Sequence, residues 1–571
     1  MALFKKIFGI LIIQLFVINI MGQTAPNKYW IQFSDKNNSP YSINQAEEFL
    51  SQRAIERRLR YDIAIGEDDF PVNPHYLDSL RKYGLVVLTT SKWHNGTTVF
   101  VADTNVMSTI RQLDFVQNVR KNANVTPSRI PKENTNLHHF SPINNSIMPD
   151  MQHVQNKEYD EFCSYNYGNA YRQINMMNGD FLHQMGFCGS GITIGVIDAG
   201  FWGVNQISAF DSLWQNNQIL GTFDLVDPSV NIFEQSTHGM MVLSTMGANR
   251  PGEIVGTAPK ASYWLIRSED AETEYVIEED NYVAALEFAD SVGVDVINTS
   301  LGYTNFDDSL VVRTYADMDG KTSRASLAAT IAGRKGMIVC NSAGNSGNNE
   351  WFHIGAPADA DSIFSVGAVD EMREVASFSS RGPSYDGRVK PEVAAMGQQT
   401  IVVNQEGNAV PGNGTSFSSP VFAGSVACLW QAFPEKSNYE IMDAIIRSAD
   451  RYENPDSLTG YGIPDFKKAY QILNPNTSIQ TETKERTLKV SPNPFNQNFS
   501  LHIFSDDNTF AFIEFFDVRG MQFLDAIPVM IFKGNNTLKI EDASVLPNGL
   551  YFIKVTSKST SDVIRVMKVG N

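Results

Sequence analysis

Ser416 lies in a segment that could carry acyl-transfer chemistry. Residues 414–420 read G-T-S-F-S-S-P, and an apolar, helix-like stretch follows at once. A serine there would sit at a helix N-terminus, where unpaired backbone N–H groups and the helix dipole favour developing negative charge. Taken alone, Ser416 is equally well explained as a loop residue or a helix cap.

Two upstream segments supply the groups that such a serine would need. The run I-T-I-G-V-I-D-A-G ends in Asp198, which predicts a buried strand with a carboxylate at its C-terminal edge. The segment S-T-H-G places His238 at the start of a second apolar stretch. Singly, Asp198 could be a turn former and His238 a helix cap. In the order Asp, His, Ser, they predict a nucleophile, its base and an orienting carboxylate.

Asn345 is the candidate oxyanion donor. It follows the apolar run in G-M-I-V-C-N-S-A-G-N-S-G, at a turn of small residues. Its side-chain amide and the backbone N–H of Ser416 could stabilise a tetrahedral oxyanion, and one such donor contributes about 3 kcal/mol. The alternative is that Asn345 only tolerates a left-handed turn.

These segments resemble the subtilisin-like serine peptidases, the subtilases. The matching motifs are V-I-D-A-G, T-H-G, S-L-G, S-A-G-N and G-T-S-F-S-S-P. The resemblance implies that Asp198 orients, His238 acts as general base and acid, Ser416 attacks, and Asn345 stabilises the oxyanion. It also implies a set of residues that bind the substrate: Ser300, Leu301, Gly302, Gly344 and Gly355.

The sequence departs from the family pattern in several places. Met241 occupies a position where many subtilases carry a second histidine. Tyr303 replaces a small residue and is expected to narrow or reshape one cleft wall, whereas Gly355 should leave room for a large apolar side chain. Residues 247–259 match the length of a loop that often binds calcium, but they lack a clear set of oxygen ligands. No cofactor is expected for catalysis.

Composition is typical of an exported, acidic protein. Lys plus Arg number 45 and Asp plus Glu 63, for a net charge of −18, so nucleic acid is not an expected partner. The acidic stretch from Glu269 to Asp280 is read as a solvated loop and helix start rather than a cation site. The 571 residues are too many for one core, which predicts several units.

The N-terminus predicts a cleaved signal peptide. Lys5 and Lys6 precede an apolar stretch that ends at Met21, too short for a membrane span of about 20 residues. No membrane span is expected in the mature chain. Export permits disulfides, so Cys163 and Cys188 could pair, whereas Cys340 and Cys428 are expected to be buried and free.

Residues 23–125 predict a small α+β domain. After an extra helix over 44–60, the pattern follows a β-α-β-β-α-β order with a turn at His94-Asn95-Gly96. Subtilase propeptides have this order, which implies an intramolecular chaperone and inhibitor; an unrelated α+β domain is the alternative. The basic run Arg53, Arg57, Arg58 and Arg60 is interpreted as a solvated helix face, with contact to the peptidase domain as the less favoured reading.

The next regions divide into a linker and an α/β domain. Residues 126–166 are rich in Asn, Pro, His and Ser and are expected to contain the processing site. From 167 to 473, apolar strands alternate with helices, which predicts a mainly parallel, doubly wound sheet. The candidate residues Asp198, Ser300 and Asn345 fall at or just beyond strand ends.

The tail changes to short alternating strands. After a polar linker at 474–487, residues 488–571 predict a β-sandwich. The phrases V-S-P-N-P-F, F-D-V-R-G and L-P-N-G-L-Y-F-I-K-V resemble the C-terminal sorting domain of type IX secretion cargo. The resemblance implies passage to the cell surface or medium and type IX machinery as a partner; an adhesion or carbohydrate-binding module is the alternative.

Together these features predict a secreted serine endopeptidase, made as a latent precursor, that acts on protein or peptide substrates. Two alternatives remain: an inactive surface-binding protein with the same fold, and a dedicated maturation protease for one exported partner. The predicted organisation is signal peptide 1–22, propeptide-like domain 23–125, linker 126–166, peptidase domain 167–473, linker 474–487 and sorting domain 488–571.

Overall fold

The structure is a computed structural model that divides the chain into two compact units, residues 1–476 and 477–571. The expected signal peptide, the expected processing segment as far as residue 162 and the linker at 475–487 lie outside the described residues. No helix in the described part of the chain has the length and apolar character needed to cross a bilayer. The described residues are 27–122, 163, 165–308, 311–474, 488–505, 508–517, 521–522, 526–540, 546–557 and 561–569.

The N-terminal part of the first unit is a four-stranded antiparallel sheet with order β2-β3-β1-β4. The predicted strand and helix order is confirmed, including the turn at Asn95, whose φ of 46° lies in the left-handed region. The expected helix over 44–60 is interrupted instead, because the Ser51 Oγ accepts the Ala54 N–H and starts a new helix. The elements are β1 (Lys28–Phe33), α1 (Gln52–Arg60), α2 (Pro74–Lys82), β2 (Val86–Ser91), β3 (Gly96–Phe100), α3 (Met107–Ile110) and β4 (Val116–Lys121).

A seven-stranded parallel sheet, with order β13-β12-β11-β10-β5-β9-β6, forms the centre of this unit. The strands of this sheet are β5 (Thr193–Asp198), β6 (Ile219–Asp224), β9 (Ser262–Arg267), β10 (Val296–Thr299), β11 (Ile338–Ser342), β12 (Phe364–Val369) and β13 (Val393–Met396). Two short hairpins are formed by β7 (Asn249–Arg250) with β8 (Ile254–Val255) and by β14 (Thr400–Val403) with β15 (Ala409–Gly412). The helices are α4 (Tyr171–Asn175), α5 (Gly179–Gln184), α6 (Asp211–Gln215), α7 (His238–Gly247), α8 (Val276–Val292), α9 (Arg324–Arg334), α10 (Thr415–Ala432), α11 (Asn438–Ser448) and α12 (Phe466–Leu473).

The sheet has an apolar core on each face. One core contains α7 and α10 side chains such as Met240 and Phe422, and the other contains α8 and α9 side chains such as Leu286 and Ala328. The predicted doubly wound α/β fold is therefore confirmed. The five strands expected in this region are present, and β6 and β13 were not predicted.

Two predicted solvated surfaces are partly buried instead. Arg57 and Arg58 are 3% and 1% exposed, because both form ion pairs with Asp290 on α8. In the acidic stretch, α8 begins five residues earlier than expected, and its first turns lie inside the protein with Glu278 and Glu279 buried. Both predictions were wrong for these residues, because a charge pattern does not reveal the partner that covers it. Arg60 and Glu272 are exposed as expected.

The cysteines follow the expected pattern. Cys163 and Cys188 form a disulfide, and Cys340 and Cys428 are buried and free. Burial raises the pKa of both free thiols, which suits small apolar core residues and not nucleophiles. In the loop with the length of a calcium site, β7 and β8 form a hairpin in which Arg250 pairs with Glu253.

The second unit is a β-sandwich, as predicted. Its sheets are antiparallel, one with order β16-β17-β20 and one with order β19-β18-β21-β22, and they share a core that includes Leu501, Phe515 and Ile553. Strand β19 was not predicted; it contains Pro528, which an edge strand tolerates. The strands are β16 (Leu488–Ser491), β17 (Phe499–Ser505), β18 (Thr509–Phe516), β19 (Ile527–Ile531), β20 (Gly534–Ile540), β21 (Gly549–Ser557) and β22 (Ser561–Lys568).

Candidate active site

Asp198 and His238 are in direct contact. Asp198 is the last residue of β5 and is fully buried, and its Oδ1 lies 2.8 Å from His238 Nδ1. The same oxygen accepts the Ala199 backbone N–H at 2.8 Å. Because Nδ1 faces the carboxylate, it carries the ring proton, and Nε2 of the neutral imidazole is left as an acceptor.

The local sequence explains this approach. His238 is the first residue of α7, and its backbone N–H is accepted by the Ser236 Oγ at 3.2 Å. Gly239 permits the contact, because a Cβ at that position would lie 2.3 Å from the Gly200 oxygen and 2.9 Å from the Asp198 Cβ. The T-H-G and D-A-G motifs therefore pack against each other through their glycines.

Opposing effects set the pKa of His238. Burial of the ring disfavours the imidazolium, but the charge of the Asp198 carboxylate and its hydrogen bond outweigh burial and raise the pKa above the usual 6.5. The His238 side chain keeps 32% of its surface exposed, so it remains accessible to solvent. This combination suits a base that must accept a proton and then release it.

Ser416 lies in the first turn of α10. Its exposed fraction is 8%, and its hydroxyl points toward the Ser300 backbone oxygen at 3.5 Å, which is a long contact. The Ser300 hydroxyl donates in return to the Ser416 backbone oxygen at 3.0 Å. The His238 ring reaches the same turn, since its centroid lies 6.3 Å from that of Phe417. The packing of α7 on α10 thus brings His238 close to the turn that holds Ser416.

Asn345 is held with its amide group in a defined orientation. Its Oδ1 accepts the Thr415 backbone N–H at 2.9 Å and the Thr415 hydroxyl at 3.0 Å. These two hydrogen bonds fix the amide group, so Nδ2 points away from Thr415. A Cβ built on Gly414 would lie 3.9 Å from that Nδ2 and 3.8 Å from the Ser416 Cβ, so the amide donor and the serine side chain are neighbours. An oxyanion site needs a donor close to the reacting serine.

A cleft of about 180 Å³ opens beside Ser416 and Asn345. The five residues expected to bind substrate all line it: Ser300, Leu301, Gly302, Gly344 and Gly355. Motif reasoning missed Thr304, Trp351 and His353, which also line the cleft. They come from loops outside the recognised motifs, so the sequence carried no signal for them. Among the described lining residues, His353 is the only ionisable side chain.

The structure shows where three positions singled out in the sequence lie relative to the cleft. Tyr303 was expected to reshape the cleft wall, but its side chain is fully buried and its hydroxyl donates to Glu269, away from the cleft. Gly355 lines the cleft as expected, yet the Thr304 methyl would lie only 2.6 Å from a Cβ at that position. Thr304 therefore fills the space next to the glycine. Met241 is half-buried and packs against the core.

The N-terminal sheet packs on α8. Glu287 accepts the Ser91 hydroxyl at 2.6 Å and the backbone N–H groups of Lys92 and Trp93 at 2.7 and 3.0 Å. The Asn122 amide, at the end of the described N-terminal segment, donates to Asp280 at 2.8 Å. The chain therefore leaves the N-terminal sheet at the first turns of α8.

Comparison with known proteins identifies each module. Residues 189–462 match the family described as the Subtilase family, peptidase S8. The chain carries a subtilase domain. Residues 28–138 match the peptidase S8 propeptide domain of Bacteroidota, and residues 489–568 match the secretion system C-terminal sorting domain. The expected propeptide and sorting tail are thus confirmed, and the sorting domain indicates export to the cell surface or the medium.

Individual relatives are similar to this chain over about half of its length, at less than 30% sequence identity. Subtilisin E of Bacillus subtilis (strain 168) is 28% identical over 307 residues, which cover 52% of this chain and 70% of that protein. Subtilisin DY of Bacillus licheniformis is 29% identical over 285 residues, covering 48% and 90%. Among solved structures, MycP1 from Mycobacterium smegmatis is similar at 19% identity with a TM-score of 0.41, covering 54% of this chain and 88% of that one.

Proposed function

We propose that this chain is the precursor of a secreted serine endopeptidase that uses Asp198, His238 and Ser416. The observation that carries the proposal is the 2.8 Å contact between the buried Asp198 carboxylate and His238 Nδ1, next to the turn that holds Ser416. An inactive binding protein has little reason to retain this buried carboxylate–imidazole pair together with an oriented Asn345.

The proposed reaction uses these three residues together with Asn345. His238 Nε2 takes the Ser416 hydroxyl proton as the oxygen attacks the scissile carbonyl carbon. For this step the hydroxyl turns from the long contact with the Ser300 oxygen to the imidazole; such contacts tighten when substrate binds. Asn345 Nδ2 and the Ser416 N–H hold the oxyanion. His238 then protonates the leaving amine, and water hydrolyses the acyl-enzyme by the reverse sequence.

The propeptide accounts for latency in this proposal. It packs on α8, and Asn122 donates to Asp280 of the peptidase domain. We expect processing between Val125 and Tyr167, which would separate the propeptide from the peptidase domain. N-terminal sequencing of the secreted protein tests this step, and a mature protein that retained Tyr29 would refute it.

A fluorophosphonate probe tests the proposed enzyme class directly. We expect it to modify Ser416 in the processed protein and to leave the Ser416→Ala variant unmodified, because the probe needs an activated serine hydroxyl. An unlabelled, fully processed wild-type protein would favour the inactive binding protein. Cleavage of a peptide library then separates a general endopeptidase from a protease dedicated to one exported partner.

Replacing Asn345 with alanine should lower kcat by about 10²–10³ and change KM little. The amide would stabilise the oxyanion only as it forms, so its loss affects the transition state more than substrate binding. Steady-state kinetics on a peptide substrate measure the effect, and Asn348→Ala is the control because Asn348 is exposed nearby. An equal loss in both variants would argue against the oxyanion role.

The pH profile of kcat/KM should have an acid limb with a midpoint above 6.5. The imidazolium cannot accept the serine proton, so activity falls as pH drops through the raised pKa of His238. Asp198→Asn should move this limb to lower pH, since the stabilising charge is gone, and lower kcat by about 10⁴. An acid limb at the same pH in both proteins would contradict the assignment of His238 as the base.

A further inference from the structure

Three carboxyl groups meet at the start of α8. Glu269 follows β9, Glu274 lies in the next loop, and Glu278 is in the first turn of the helix. One carboxylate oxygen from each lies within 4.8 Å of the other two. Glu269 and Glu278 are 5% and 2% exposed, so two members of this glutamate cluster are withdrawn from water.

Two oxygens of this cluster have no hydrogen-bond donor among the described residues. Glu269 accepts the hydroxyl groups of Tyr303 and Ser268. By contrast, Glu278 Oε2 and Glu274 Oε1 are buried with no hydrogen-bond partner in the part of the chain that the structure describes. A buried carboxylate oxygen without a partner is costly, which is why Glu287 and Asp290 on the same helix are surrounded by donors. The unpaired oxygens of this cluster indicate that a cation could bind between them.

Lys28 is a nearby cation, and its charge interacts with the carboxylates of Asp270 and Glu278. Three carboxylates brought this close together need more positive charge than one lysine provides.

We infer that Glu269, Glu274 and Glu278 form a calcium site. Calcium binds carboxylate oxygens at about 2.4 Å and accepts irregular coordination, so oxygens within 4.8 Å of one another can share one ion. The ligand type excludes zinc or copper as the preferred metal, since those ions favour nitrogen and sulfur. Weak sites of this kind suit exported proteins, which meet calcium at high concentration.

A calcium ion at this site would stabilise one wall of the cleft. The Tyr303 hydroxyl donates to Glu269, the Tyr303 backbone N–H donates to the Ala356 oxygen at 2.7 Å, and Tyr303 directly follows Gly302. A bound ion would hold the loop at 269–278 against Tyr303 and, through it, the segment that lines the cleft. The inference concerns metal binding and does not rest on the proposed reaction.

Calcium titration of the full-length precursor tests the site. The Ser416→Ala background prevents self-cleavage, and the metal-free protein is titrated with calcium by calorimetry and with terbium by tyrosine-sensitised luminescence. We expect saturable binding that raises the unfolding temperature. Glu278→Gln should weaken calcium binding by at least about 10-fold. Glu272→Gln is the matched control, because it makes the same charge change on an exposed residue of the same loop.

Two further measurements keep the inference falsifiable if Glu278→Gln folds differently. In calcium-free buffer this variant should unfold at a higher temperature than the parent, because one unpaired buried carboxyl is gone. Lys28→Met should bind calcium more tightly than the parent by a few-fold, since a competing positive charge is removed. Absence of calcium binding would overturn the site, and so would binding that is equal in the Glu278→Gln and Glu272→Gln proteins.

Discussion

Replacing Ser416 with alanine should lower kcat by about 10⁶ while the protein remains folded. The loss is large because the attacking oxygen is removed and the His238–Asp198 pair has no proton to take. Hydrolysis of a chromogenic peptide by the processed protein measures the effect. The precursor carrying this change should also keep its propeptide if processing is self-catalysed.

Ser418→Ala is the matched control for this experiment. Ser418 lies two residues further along α10, and its hydroxyl donates only to the Thr415 backbone oxygen at 3.1 Å within the same helix. We expect this variant to retain most of its activity. A residual kcat within about tenfold of wild type in Ser416→Ala, or an equal loss in Ser418→Ala, would contradict the assignment of the nucleophile.

Replacing Asp290 with alanine should destabilise the precursor by about 3–5 kcal/mol. This fully buried carboxylate accepts Arg57 at 2.6 Å, Arg58 at 2.9 Å and Lys92 at 3.0 Å, all from the propeptide. Burial alone would raise the pKa of Asp290, but these three cations outweigh burial and hold its pKa well below the usual range. Without the carboxylate, three buried cations lose a partner at once.

Denaturant unfolding of the Ser416→Ala precursor, with and without the second change, measures this loss. Asp443→Ala is the control, because Asp443 pairs with Arg447 at an exposed site where ion pairs contribute about 0.3–0.5 kcal/mol. We also expect the propeptide to dissociate more readily after processing. Equal stability of the two aspartate variants would show that the buried ion network does not hold the propeptide.

Parts of this fold were predictable because their signal is local. The buried strands of the parallel sheet are continuous apolar runs, so β5 and β11 could be located from a few residues each. Strand β6 was missed because its residues are only half-buried at the sheet edge, and the apolar run is shorter. The start of α8 was misplaced because Glu278, Glu279 and Asp280 look like a solvated turn when their neighbours are unknown.

The sequence by itself determined the order of Asp198, His238, Asn345 and Ser416, the parallel α/β fold and the succession of modules. Short motifs and hydrophobic periodicity are enough to predict these features, because each feature depends on residues that are close together in the sequence. Only the tertiary structure decided that Arg57 and Arg58 enter the interior beside Asp290, that Thr304, Trp351 and His353 line the cleft, and that three glutamate carboxyl groups meet at the start of α8. The physical reason is that the burial of a charge depends on partners distant in the chain, and a linear pattern does not contain those partners.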